Sequence, residues 1–126
     1  MAAELMLQKF KMGENSAKTT QMSTMAVESH ITYDNEVKEG DEVDINLVYF
    51  DHDKKRLQYK MEMIHKEKKF LSSTIEILAL YVDLNKRKVT EFELKKVKLM
   101  NKFIQSNLNN FQSDNLLFNN KLKKYY

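Results

Sequence analysis

The feature that most constrains this chain is the stretch from Glu28 to Asp83, which runs as long strands with almost no helical period. It opens ESHITYDNEVKEGDEVDINLVYF. From Met22 the apolar residues recur every second position, which is the period of a strand. Met25, Val27, Ile31 and Tyr33 are expected on one face, with Ser29 among them, and Thr24, Glu28, His30 and Thr32 on the other. Asp34 to Gly40 makes a turn. Val43, Ile45, Leu47 and Tyr49 then alternate with Asp44, Asn46, Val48 and Phe50. After the polar turn 51–55 (DHDKK), Leu57, Tyr59, Met61 and Met63 alternate with Gln58, Lys60, Glu62 and Ile64, the pattern of a half-buried strand. A second polar turn, 65–69 (HKEKK), leads into Phe70 to Asp83. There Ile75, Ile77, Ala79 and Tyr81 line one face, and Leu78, Leu80 and Val82 make the other apolar too, so this strand is expected to be covered on both sides. Short turns predict antiparallel neighbours in chain order.

Helical spacing occurs at the two ends. Leu5, Met6 and Phe10 share one face of a short predicted helix over 2–12, with Gly13 as its C-cap and a polar loop over 14–21. After a turn at Asn85-Lys86, a second helix is predicted from about Glu91. Thr90 is its N-cap and Glu93 the reciprocal partner of a capping box, and Val97, Met100, Phe103 and Ile104 form its apolar stripe. The expected unit is one α+β domain over 1–107. An asparagine- and lysine-rich tail over 108–126, partly ordered at best, follows it.

Composition excludes several classes. The chain has no cysteine, so it has neither a disulfide framework nor a thiolate metal site, which agrees with a cytoplasmic setting. No apolar run reaches the roughly 18 residues of a membrane span, and the N-terminus lacks a signal-peptide pattern. Charge is uneven: residues 84–126 carry ten Lys/Arg against three acids, and residues 1–83 carry eleven against fifteen. The basic end could attract phosphates, though a solvated helix face explains it as well. Without a binding motif or a glycine-rich loop, nucleic acid is not expected as a partner.

Three dispersed histidines without metal-ligand spacing predict no metal site. His52 and His65 read as solvated turn residues, and Asp51 and Asp53 as turn formers. Met61 and Met63 read as core, with an acyl-chain pocket as the alternative. Glu28 and His30, two apart on one strand, share a face. A carboxylate beside an imidazole is the arrangement that activates water, while a purely structural pairing is the alternative. Tyr33 ends its strand with the hydroxyl at a rim.

The order of these pieces resembles the hotdog-fold acyl-CoA thioesterases. The likeness is to the 4-hydroxybenzoyl-CoA thioesterase-like group and its betainyl-CoA-type members. Val27-Glu28-Ser29-His30-Ile31-Thr32-Tyr33 is similar to the strand after the family's long helix. Lys38, Gly40, Asp41, Val43 and Ile45 resemble the following turn and strand. Lys55-Arg56-Leu57 opens the next strand, and Leu78 to Lys88 resembles the closing strand and its turn. The resemblance implies an antiparallel sheet wrapped around a helix, here shortened, and a homodimer or tetramer with active sites at the subunit interface. It also implies hydrolysis of a small or medium acyl-CoA to acid and CoA, without a cofactor. Glu28, His30, Thr32 and Tyr33 are the expected substrate-binding residues. The family's D-x-N-G-H-x-N loop, whose aspartate acts at the thioester, has no counterpart here. The catalytic residue is therefore not assigned, and weak or absent activity is one expectation. A non-catalytic hotdog module binding acyl-CoA or a protein partner is the alternative reading. Translation from an internal methionine is a further one.

Overall fold

The computed structural model describes residues 21–111, 116 and 122. The helix predicted over 2–12, its Gly13 cap, nearly all of the loop after it, and most of the C-terminal tail lie outside the described residues. Five strands and a helix follow in order: β1 (Met22–Tyr33), β2 (Val43–His52), β3 (Arg56–His65), β4 (Leu71–Asp83), β5 (Lys88–Val89) and α1 (Leu94–Ser106).

All the strands join one antiparallel sheet, ordered β1-β4-β3-β2, with the short β5 pairing the end of β4. The expected α+β class holds. The expectation that chain neighbours are sheet neighbours holds for β2–β3 and β3–β4 but fails for β1 and β2, which stand at opposite edges. Three inter-strand steps of about 4.8 Å span roughly 14 Å. The nine residues of 34–42 reach about 30 Å when extended, so this connection is long enough to cross. Gly40 adopts a left-handed φ of 89° within it, a conformation that favours glycine.

Two bulges overturn part of the face assignment. The register shifts between Ala26 and Glu28 and between Leu47 and Tyr49. One extra residue turns every later side chain to the other face. Met25 therefore shares the face of Glu28, and Tyr49 the face of Asp44 and Asn46, while Phe50 turns into the core.

On the core face, Phe50, Leu57, Tyr59, Met61, Ala79 and Tyr81 pack with Phe92 and Met100. Complete burial of a side chain such as Leu57 (0 % exposed) contributes about 1.5–3 kcal/mol. Helix α1 covers this face through the predicted stripe. Met100 is fully buried, and Val97, Phe103 and Ile104 pack against the cluster. Phe103 meets Phe50 edge-on, with ring centroids 5.7 Å apart. As expected, β4 is buried on both faces, at Leu78 and Val82 as well as at Ala79 and Tyr81.

The predicted capping box is not formed. The helix starts at Leu94 with Glu93 in the N-cap position, and Glu93 makes no side-chain cap. Its carboxylate instead accepts the Tyr81 hydroxyl at 2.8 Å and pairs with Lys96 at 2.7 Å.

His52 and His65, expected in solvated turns, are the last residues of β2 and β3 and are buried. His52 lies against α1, with Nε2 2.7 Å from Asn101 Oδ1, and its Nδ1 is 2.9 Å from the Asp53 carbonyl. His65 stacks on Phe70, accepts the Lys68 N–H at Nδ1, and faces Asp41 through Nε2 at 3.2 Å. Each turn thus folds back on its imidazole, which pure polarity counting does not foresee. Asp53 forms its turn as expected, accepting the Lys55 and Arg56 N–H groups.

Candidate functional site

The face of the sheet opposite α1 is polar, and its residues align in rows across the strands. One row is His30 (β1), Glu76 (β4), Lys60 (β3) and Tyr49 (β2), each paired in register with the next. The row beside it is Glu28, Leu78, Gln58 and Asp51. On the other side run Thr32, Thr74, Glu62 and Asn46. Paired side chains in such rows are cross-strand neighbours.

Glu76 is the centre of this face. It is 1 % exposed, and its Oε1 accepts a 2.8 Å hydrogen bond from Gln58 Nε2. A buried carboxylate requires such partners, because desolvation of an unpaired charge is costly. Gln58 is itself buried, so the pair forms a fixed polar element inside the sheet. The hydroxyls of Thr32 and Thr74 bond to each other across β1 and β4. At the far side, the Tyr49 hydroxyl donates to Asp51 at 3.4 Å. Burial pushes the Tyr49 hydroxyl up to about 12, and the charge of Asp51, the bond to it and the charge of Glu76 add to the shift. Tyr49 therefore stays neutral and a donor at neutral pH.

The structure brings three of the four sequence-predicted residues together. Glu28, His30 and Thr32 project from one face of β1, spread over about 13 Å at 3.3 Å per residue. Tyr33 does not join them. It falls on the face of Ser29 and Ile31 and is 84 % exposed. Glu28 and His30 are also exposed, and Thr32 is half-buried. Sequence reasoning missed Glu76, Gln58, Lys60 and Tyr49. The single usable signal was Glu76, a charged residue inside the otherwise apolar run of β4. The end of β1 is pinned to the start of β4: the Asp34 and Asn35 N–H groups donate to the Ser72 carbonyl, and the Ser72 hydroxyl returns a bond to the Asn35 carbonyl.

Among the described residues no three His, Cys, Asp or Glu side chains are grouped to hold a metal ion. Among them also, no helix is long and apolar enough to cross a membrane.

The sequence pattern of the thioesterase-like superfamily matches residues 1–108. This chain belongs to that superfamily. No individual curated protein matches it. Solved structures share its fold. One is a hypothetical protein from Staphylococcus aureus in complex with CoA, at a TM-score of 0.75 and 18 % identity, with 98 % of this chain and 75 % of that one covered. The DHNA-CoA thioesterase of Staphylococcus aureus gives a TM-score of 0.72 at 14 % identity, covering 86 % and 73 %. The 1,4-dihydroxy-2-naphthoyl-CoA thioesterase of Synechocystis gives 0.67 at 16 %, covering 79 % and 73 %. At these identities the likeness is one of fold, and it bears out the hotdog class expected from the sequence.

Proposed function

We propose that this thioesterase-like protein hydrolyses the thioester of a small or medium acyl-CoA, releasing the acid and free CoA. Membership of the thioesterase-like superfamily is the observation that carries the reading. The motif order from Val27 to Lys88 supports the betainyl-CoA-type subgroup within it. The polar face supplies what thioester hydrolysis requires: carboxylates and an imidazole to handle protons, and neutral donors for a developing oxyanion. Glu28, His30 and Thr32 bind the substrate, with the buried Glu76–Gln58 pair holding the row rigid behind them. Tyr33 contributes from the rim at the end of β1. The cysteine-free composition suits the cytoplasm.

The working unit is a homodimer or tetramer. Strand β1 is an edge strand of 12 residues, and its Met25, Val27 and Ile31 are 55 %, 46 % and 45 % exposed. An exposed edge with apolar side chains is a ready template for another strand, and a second copy of β1 pairs there. Thiol release from a panel of acyl-CoAs tests the activity. Release above background from at least one member is expected, and none from any member removes the proposal.

A further inference from the structure

The end of the sheet at which β1 stops holds a buried titratable group that the proposed chemistry does not use, His65. It is the last residue of β3 and is 4 % exposed. Phe70, at the far side of the β3–β4 turn, stacks on its ring with centroids 4.7 Å apart. The turn between them brings back Lys68, whose N–H donates to Nδ1 at 3.0 Å. The crossover 34–42 supplies Asp41, whose Oδ2 lies 3.2 Å from Nε2. The titratable side chains around the ring are therefore Asp41 and Glu42 from the crossover and Lys66, Glu67 and Lys68 from the turn. Strand β2 faces it with Val43, which carries no charge. Lys66 and Glu42 pair with each other at 3.3 Å. A cleft of about 380 Å³ separates the crossover from the turn, with His65 in its wall.

These contacts fix the position of the proton. A ring nitrogen accepts an N–H through its lone pair, so Nδ1 carries no hydrogen. The neutral imidazole then carries its hydrogen on Nε2, where it donates to the Asp41 carboxylate. A second proton can enter only at Nδ1, and there it sets two N–H groups against each other across 3.0 Å. Asp41 stays a carboxylate meanwhile. The bond from the Lys38 N–H, followed by the His65 imidazole, outweighs desolvation and holds its carboxyl below the ordinary value of 3.8. Its attraction for the ring grows when the ring becomes a cation. The two partners of His65 thus respond to acid in opposite ways: the crossover is held more tightly and the turn is pushed off. The turn is the weaker of the two, since Lys69 within it has a left-handed φ of 61°, a conformation uncommon for a residue with a side chain.

We infer that His65 is an acid-operated switch for the β3–β4 turn: a proton taken from solvent at Nδ1 releases the tip 66–69, while Asp41 keeps the crossover on the ring. Two backbone bonds at the base of the turn do not involve the ring and persist, from the His65 N–H to the Phe70 carbonyl and from the Lys66 N–H to the Glu42 carbonyl, both 2.9 Å. The inference does not depend on the acyl-CoA reading, but it bears on the same end of the sheet. Strand β4 starts just beyond the turn. Its Ser72 carbonyl accepts the Asp34 and Asn35 N–H groups, and its Thr74 hydroxyl bonds that of Thr32. A released turn therefore loosens the anchor of the β1 end that carries Thr32 and Tyr33.

The test is nuclear magnetic resonance of the isotope-labelled full chain between about pH 8 and about pH 5, the range in which imidazoles change charge. Side-chain nitrogen shifts give the tautomer and protonation of His65. Amide hydrogen exchange gives the protection of each turn N–H relative to a free peptide at the same pH. The Nε2–H tautomer is expected at the upper pH. As the ring takes up its second proton, protection at Lys68 and Lys69 is expected to fall roughly tenfold, with Lys66 unchanged. His65→Asn puts an amide oxygen near the place of Nδ1 and does not titrate, so Lys68 should stay protected throughout. His65→Phe keeps the ring stack without an acceptor, so Lys68 should be unprotected at both ends of the range. A hydrogen on Nδ1 at about pH 8, or Lys68 protection indifferent to the protonation of His65, overturns the switch. So does the same pH response in His65→Asn, or a ring that stays neutral until the whole sheet loses protection. Thiol release tests the acyl-CoA reading separately, and its absence leaves the switch standing.

Discussion

Replacing Tyr81 by Phe probes how α1 is fixed to the sheet. The Tyr81 ring is fully buried and stacks on Phe92, with centroids 4.7 Å apart. Phenylalanine keeps that packing and removes only the hydroxyl, which bonds both oxygens of Glu93 at 2.8 Å. A hydrogen bond to a charged group contributes about 1.5–3 kcal/mol. Glu93 is 42 % exposed, so the lower end applies, about 1.5 kcal/mol. With a urea slope of roughly 1.5 kcal/mol per molar, the unfolding midpoint should fall by about 1 M. The loss should also depend on pH. Burial alone would raise the Glu93 carboxyl, but the Lys96 ammonium and the Tyr81 hydroxyl outweigh it and hold it below its ordinary value of 4.5. A depressed carboxyl stabilises the fold above its unfolded value, and that stabilisation is lost as pH falls through the folded one. The gap between wild type and Tyr81→Phe should therefore be full at neutral pH and narrow below about pH 4. An unchanged midpoint at neutral pH, or a gap that does not vary with pH, shows that the Tyr81–Glu93 bond does not stabilise the fold.

Two further perturbations have defined outcomes. Gln58→Leu removes the described donor to buried Glu76 and should cost about 1–3 kcal/mol in urea unfolding; an unchanged midpoint shows that this bond does not hold the row. Ile31→Glu puts a charge on the exposed β1 edge and should shift the protein to monomer in analytical ultracentrifugation; a variant that sediments like wild type excludes β1 as the subunit contact.

Much of the sheet was legible because strand alternation and turn chemistry are local. The buried β4, the stripe of α1 and the grouping of Glu28, His30 and Thr32 followed from spacing alone. The bulges at Val27 and Val48 did not, since one inserted residue leaves no compositional mark yet reverses Tyr49 and Phe50. Thr90 and Glu93 fit the pattern of a capping box, but the Tyr81 hydroxyl, on another element, takes the Glu93 carboxylate instead. His52 and His65 looked solvated beside charged neighbours, and only the fold shows their rings enclosed by Asn101 and Phe70. The candidate row was half legible for the same reason. His30 lies on one strand, while Glu76, Lys60 and Tyr49 reach it through pairings that no local pattern encodes.

The most direct test is steady-state thiol release from a panel of short and medium acyl-CoAs, run with wild type, Glu28→Gln and His30→Ala. Both residues are exposed, so both variants should keep the wild-type melting temperature. The proposed hydrolysis requires turnover of at least one acyl-CoA by wild type and a fall in kcat/KM of roughly tenfold or more in each variant. No turnover by wild type, or turnover indifferent to both substitutions, contradicts it.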